Sequence, residues 1–259
     1  MTPADMTSHP FSKSILGKNQ PPDKAPAPSG YGRPCVIMFV RAPEKGKVKT
    51  RLAKRLGETK SLEFYRAIVE HLISILESSG YPIRIHYHPP ERHEQVSRWI
   101  GSRFAYLPQE GATLGERMAN AFRRSFTDGF GRVLLIGCDI PELSERILHE
   151  SVLALDRNDT VIGPSADGGY YLIGFRSGSF SAEAFKDMAW GKDSVFCKTM
   201  AVFKKKGCSV HILPKLHDID VFEDLMSFIE RSPSHSTLAL KAKDCLDLNL
   251  GSKKAQLIA

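Results

Sequence analysis

Val133-Leu134-Leu135-Ile136-Gly137-Cys138-Asp139-Ile140-Pro141 decides how the rest of the chain is read. The four apolar residues read as a buried strand. Gly137 then lets the chain turn, and Pro141 cannot continue a central strand. Asp139 is thereby delivered to the carboxyl edge of a sheet, where open α/β folds bind ligands. Around this segment strands and helices alternate. A strand is expected over 36–40 and a helix over 61–78, with Leu62, Tyr65, Val69, Leu72, Ile73 and Leu76 at helical spacing. A strand at 83–87 follows, then helices at 91–100 and 114–126. Ser144 caps a helix carrying Ile147, Leu148 and Val152. Strands at 161–163 and 170–175 flank a Gly-rich loop. Asp193 caps a helix that runs to Lys206 and is closed by Gly207. A strand at 210–213 and a helix at 221–229 complete the series. The alternation predicts a Rossmann-like three-layer α/β/α sandwich with a mostly parallel sheet. One domain is expected over 33–231, with a flexible leader at 1–32 and an irregular tail at 232–259.

The 259 residues carry a net charge of +7, and that charge is concentrated. Residues 33–60 hold nine basic and two acidic side chains, so this segment alone equals the net charge of the whole chain. Such focus points to a local anionic partner. No nucleic-acid motif or aromatic stacking pattern accompanies it, so a phosphorylated small molecule is favoured over nucleic acid. The five cysteines are odd in number and form no CxxC pair, which argues against a zinc site or disulfide framework. No apolar run approaches the roughly 20 residues needed to span a bilayer. These features predict a cytoplasmic enzyme.

The loop after the first strand, Arg41-Ala42-Pro43-Glu44-Lys45-Gly46-Lys47-Val48-Lys49-Thr50-Arg51, lacks the GxxxxGK[ST] spacing. It still leads into a helix N-terminus, where backbone N–H groups and cationic side chains attract anions. Lys49 and Arg51 are the foremost phosphate-binding candidates, with Arg41 next. Asp139 is a candidate ligand for Mg²⁺, which takes one or two carboxylates plus substrate phosphates; it also fits a turn aspartate before Pro141. In Asp167-Gly168-Gly169-Tyr170 the glycines permit close backbone approach to a ligand, although Asp-Gly is equally a hairpin signal. Asp218 and Asp220 share one side of an extended segment. Asp220 fits metal binding or capping of the next helix, with Glu223 completing a capping box. Arg117, in Gly111–Met118, and Trp190 sit at helix starts that could line a pocket.

In order along the chain, Phe39-Val40-Arg41-Ala42-Pro43, Gly46-Lys47-Val48-Lys49-Thr50-Arg51-Leu52, Leu114-Gly115-Glu116-Arg117, Gly137-Cys138-Asp139-Ile140-Pro141, Gly163-Pro164 with Asp167-Gly168-Gly169-Tyr170-Tyr171, and Asp218-Ile219-Asp220 resemble the bacterial glycosyltransferase-A-like (GT-A) transferases. More narrowly the set is similar to the radical-SAM/selenodomain-associated "transferase 1" family. The resemblance implies a GT-A fold and a nucleotide or sugar-nucleotide substrate with a small acceptor. It also implies Mg²⁺ or Mn²⁺ held by Asp139, Asp218 and Asp220. Lys49, Arg51 and Asp139 would then be catalytic. Arg41, Ala42, Pro43, Gly46, Lys49, Arg51 and Arg117 would bind nucleotide or phosphate, and Asp167, Gly168, Gly169, Tyr170 and Trp190 would line the substrate pocket. The basic loop differs from the Gly-x-Ser-x-Arg-Met-Gly form usual in nucleotidyltransferases. Glycosyl transfer from a sugar nucleotide is the first expectation. Nucleotidyl transfer to a phosphorylated acceptor, as in molybdopterin- or phospholactate-guanylyltransferases, is the second. Nucleotide or phosphate binding without turnover is the third.

Overall fold

The computed structural model describes residues 32–246. Residues 1–31 of the expected leader and 247–259 of the expected tail lie outside the described residues. Six consecutive apolar residues, Cys35 to Val40, form the heart of β1 (Arg33–Arg41). Period-two alternation sends Cys35, Ile37 and Phe39 to one face and Val36, Met38 and Val40 to the other, and all are buried. A strand apolar on both faces needs helices on both faces. The chain then runs through α1 (Thr50–Leu56), α2 (Glu58–Ser78), β2 (Ile83–His88), α3 (His93–Ile100), β3 (Ala105–Pro108), α4 (Leu114–Thr127) and β4 (Phe130–Ile136). It continues with α5 (Glu145–Ala154), β5 (Thr160–Pro164), β6 (Tyr170–Arg176), α6 (Val195–Lys205), β7 (Val210–Ile212), α7 (Phe222–Arg231) and α8 (Thr237–Cys245).

The seven strands are ordered β3-β2-β1-β4-β6-β5-β7. All neighbours are parallel except β6, which runs antiparallel to both β4 and β5. Residues of α1, α2, α3, α5, α7 and α8 form the core on one face, and α4 and α6 cover the other. The three-layer, mostly parallel architecture agrees with the sequence reading.

Differences fall at short elements. β3, Ala-Tyr-Leu-Pro, was not expected; it is an edge strand with no fully buried residue and so carries no period signal. α6 starts from Ser194 rather than Asp193, and its N-cap side chain makes no capping hydrogen bond. Ser144 does cap α5, accepting from the Ile147 N–H. The expected irregular tail contains α8. Its Leu238, Ala239, Ala242 and Cys245 are at most 4% exposed and join the core under α2, because helical spacing puts all four on one stripe. Helix α8 is therefore part of the packed unit. Replacing Leu238 by alanine should cost about 2–4 kcal/mol in urea unfolding. A loosely attached tail would move by less than about 0.5 kcal/mol.

Candidate active site

The carboxyl ends of β1 and β4 and the start of β6 open into a cavity of about 830 Å³. Lys49, Asp139 and Asp220 meet in it. Lys49 precedes α1 in a left-handed conformation, φ +46° and ψ +43°, uncommon for a non-glycine residue. Its side chain is only 3% exposed. The ammonium donates to Asp139 Oδ1 and, at 3.1 Å, to Asp220 Oδ1. Burial opposes the charged ammonium, but the Asp139 and Asp220 carboxylates together outweigh it and hold the Lys49 pKa above its ordinary value. Lys49 was expected to bind phosphate. In the structure its ammonium engages both carboxylates.

Each member is positioned by its surroundings. Asp139 follows the Gly137 turn, with the Cys138 thiol beneath it and 3.7 Å from the Tyr65 hydroxyl. Burial first, and the Asp139 charge second, push Cys138 up to about 12, so this thiol stays protonated. The Tyr65 hydroxyl, from α2, donates to the Arg41 carbonyl (2.9 Å) and accepts from the Arg41 N–H (3.0 Å). That pins the end of β1. The Ile219 N–H donates to the Asp139 carbonyl at 3.1 Å, tying the segment before α7 to β4. Asp224, not Glu223, reaches back: its Oδ2 accepts the N–H groups of Asp220 (2.9 Å) and Val221 (2.8 Å). The Asp220 side chain is thus released from capping. It serves Lys49 and lies 3.7 Å from Arg51.

The remaining candidates divide. Arg41, Lys47 and Arg51 are exposed along the cavity, and Arg117 lines it with Nε held on the Gly111 carbonyl at 3.0 Å. Asp167, Gly169, Tyr170 and Trp190 also line it. Ala42, Pro43, Gly46 and Gly168 do not. Ala42 and Pro43 are buried behind the loop. Gly46 turns at φ +72° against Glu58. Gly168, at φ +87°, packs on Asp193 so closely that a Cβ would sit 2.2 Å from that residue's carbonyl oxygen. This closes the β5–β6 loop onto the entry to α6. Asp167 fixes the same turn, accepting from the Gly169 N–H at 2.9 Å and from the Ser165 hydroxyl.

The three carboxylates expected to hold a metal do not converge. Asp218 lies with Asp167 and Asp220 in an adjoining cavity of about 270 Å³ that Asp139 does not reach. Among the described residues no group of three or more His, Cys, Asp or Glu side chains is gathered for a metal ion. Burial, then the Asp167 charge, raise the Asp218 pKa to about 6. Sequence reasoning passed over His88 and Gln109, which also line the main cavity. Their signal was weak: His88 lacks ligand spacing, and Gln109 follows the unexpected β3. Burial, with Arg117 and Arg41 adding to it, lowers the His88 pKa.

Residues 72–192 match the model of a family described as uncharacterised proteins conserved in bacteria, DUF2064. That segment includes Asp139, Asp167 and Trp190 but neither Lys49 nor Asp220. A solved structure from Desulfovibrio desulfuricans G20 is described as a "putative nucleotide-diphospho-sugar transferase". It is 33% identical, with 83% of this chain and 97% of that chain covered and a TM-score of 0.77. The chain belongs to the family of that protein. Two remoter structures share the fold of this family. CMP:2-keto-3-deoxy-manno-octonic acid synthetase complexed with CTP is 8% identical, covering 82% of this chain and 99% of its own, with a TM-score of 0.52. The 4-diphosphocytidyl-2C-methyl-D-erythritol synthase of Anaerococcus prevotii is 12% identical, covering 76% and 96%, with a TM-score of 0.50. No curated protein sequence matches the chain. No helix among the described residues is long and apolar enough to cross a membrane.

The raised Asp218 pKa makes a pH prediction. A carboxyl raised from 3.8 to about 6 favours folding fully below its unfolded value and loses that contribution as pH rises through about 6. Asp218→Asn should therefore be more stable than wild type at pH 7.5 by roughly 1 kcal/mol, a value reduced for the group's partial exposure. The two proteins should unfold alike at pH 4, as compared by urea titration at both pH values.

Proposed function

We propose that this protein is a metal-assisted, nucleotide-using transferase that moves a glycosyl group from a sugar nucleotide to a small hydroxyl acceptor. The observation that carries this reading is the Lys49–Asp139–Asp220 cluster, set at the strand ends in a cavity edged by Arg41, Lys47 and Arg51. The description of the Desulfovibrio relative supports it. The narrower radical-SAM/selenodomain-associated "transferase 1" grouping is part of the same proposal.

The donor set fits Mg²⁺ or Mn²⁺ with one correction. Asp139 and Asp220 each give one oxygen to Lys49, yet their side chains remain 47% and 39% exposed. Two carboxylates with free oxygen capacity, completed by phosphate oxygens, suit a hard divalent cation. Asp139 and Asp220 would hold it, and Asp218 would not. When bound, such a cation offsets negative charge on a departing diphosphate. The chain's own groups do the rest. Lys49 holds the two carboxylates in place. Arg51, Arg41 and Lys47 bind the diphosphate oxygens and stabilise the charge that gathers there as the acceptor oxygen attacks the sugar. Tyr170 and Trp190, in edge contact with centroids 6.3 Å apart, form a wall for the transferred group or acceptor.

Nucleotidyl transfer is the second reading. Three exposed cations along the cavity suit a triphosphate, which demands more neutralisation than a diphosphate. The products separate the two readings: a sugar nucleotide would yield a nucleoside diphosphate, whereas a nucleoside triphosphate would yield pyrophosphate. Binding is tested first, by thermal shift with nucleoside di- and triphosphates and sugar nucleotides, with and without Mg²⁺ or Mn²⁺. A ligand at 100 times its Kd should add about 2.7 kcal/mol of stability. Asp139→Asn should abolish the metal-dependent part of the shift. Unchanged binding and turnover in that variant, with its fold intact, would sink the metal assignment.

A further inference from the structure

Gln109 follows β3 and is 7% exposed. Its backbone N–H donates to the Tyr87 carbonyl at 2.9 Å. Its side-chain Nε2 donates to the His86 carbonyl (2.8 Å) and the Val40 carbonyl (3.4 Å). The amide therefore reaches from the end of β3 across β2 to β1. Two carbonyl partners determine which amide atom is nitrogen, because a carbonyl cannot donate. Oε1 must then occupy the other side of the amide. It makes no hydrogen bond to the described residues, and it is not among the side-chain oxygens sealed from solvent. Gln109 lines the 830 Å³ cavity. Nε2 is thus committed to two carbonyls, which leaves Oε1 as the unused acceptor of a residue that lines the cavity.

The chemistry of that atom restricts what it meets. A lone acceptor repels phosphate oxygens, which the exposed cations of the 41–51 loop serve instead. It calls for an N–H or O–H donor. Strands β1, β2 and β3 with their crossover helices make a parallel βαβαβ unit, the half of an open α/β fold that holds a mononucleotide. The cavity also takes Leu114 and Met118 from α4, with Leu114 left 41% exposed, and these offer apolar surface to a planar ring. We propose that Gln109 Oε1 accepts a hydrogen bond from a ring or exocyclic N–H of the substrate's nucleobase, making Gln109 a base-recognising residue. This inference rests on the nucleotide-using reading above.

The test measures binding to the full-length protein by calorimetry, with three probes: the tightest-binding nucleoside diphosphate, ribose 5-phosphate and inorganic pyrophosphate. Gln109→Met keeps the length and removes the acceptor. It should weaken the nucleotide by about 10-fold, the size of one net hydrogen bond. The two base-free probes should bind as to wild type. A loss equal for nucleotide and ribose 5-phosphate would overturn the proposal in favour of a ribose contact. An equal loss for all three would reduce Gln109 to a strand clamp, and no loss for the nucleotide would also overturn the proposal. Wild type supplies a second arm that needs no variant. The preferred nucleotide and its counterpart methylated at the base N–H should differ by 10-fold or more, and equal affinities would overturn the assignment. If wild type binds pyrophosphate but no nucleotide, the transferase reading itself fails, and this inference with it.

Discussion

One buried ammonium joins the parts of this molecule that must act together. Lys49 lies just before α1, Asp139 just after β4 and Asp220 just before α7, separated by 90 and 171 residues from the lysine. Burying a lone cation is costly, and losing one partner of a buried pair typically costs several kcal/mol. The fold therefore has to bring the three segments to one point. The left-handed backbone at Lys49 is part of the arrangement, since strain of this kind persists only where surrounding contacts impose it. The Ile219–Asp139 backbone hydrogen bond and the Asp224 cap serve the same end.

The layers were legible in the sequence because long apolar periods report directly on burial. The β1 run and the α2 stripe, both deep in the core, carry that signal clearly. β3 carried none, since a short edge strand with partly buried residues has no period to detect. α8 was overlooked for a related reason. Its four core residues are interrupted by Lys241 and Lys243, and two are alanines, so little hydrophobicity marks a face that is nonetheless buried. At the site, residue types and strand-end positions could be read, and Asp139, Lys49 and Asp220 do meet. Their division of labour could not. Whether a lysine faces a ligand or a pair of carboxylates depends on long-range approach, which local spacing does not encode. The same holds for Asp218 and Asp220, which share a side of the chain and the smaller cavity, yet only Asp220 also reaches the main one.

The cavity walls are held by absent side chains as much as by present ones. Gly115, in the first turn of α4, approaches the Phe185 carbonyl so closely that a Cβ would stand 2.2 Å from its oxygen, with Trp190 also in contact. With Gly168 against Asp193, this clamps the segment bearing Trp190 between α4 and the β5–β6 loop. The aromatic wall is accordingly preformed, which spares a ligand the entropy of ordering it.

The direction of β1 has a practical side. The strand enters at Arg33 and reaches the cavity at Arg41, so Arg33 stands at the opposite edge of the sheet, roughly 26 Å away at the usual rise per residue. A thiol or affinity handle introduced at the exposed Arg33 would tether the molecule to a surface with its cavity facing outward. Immobilised protein would then present the cavity to solution in a single orientation.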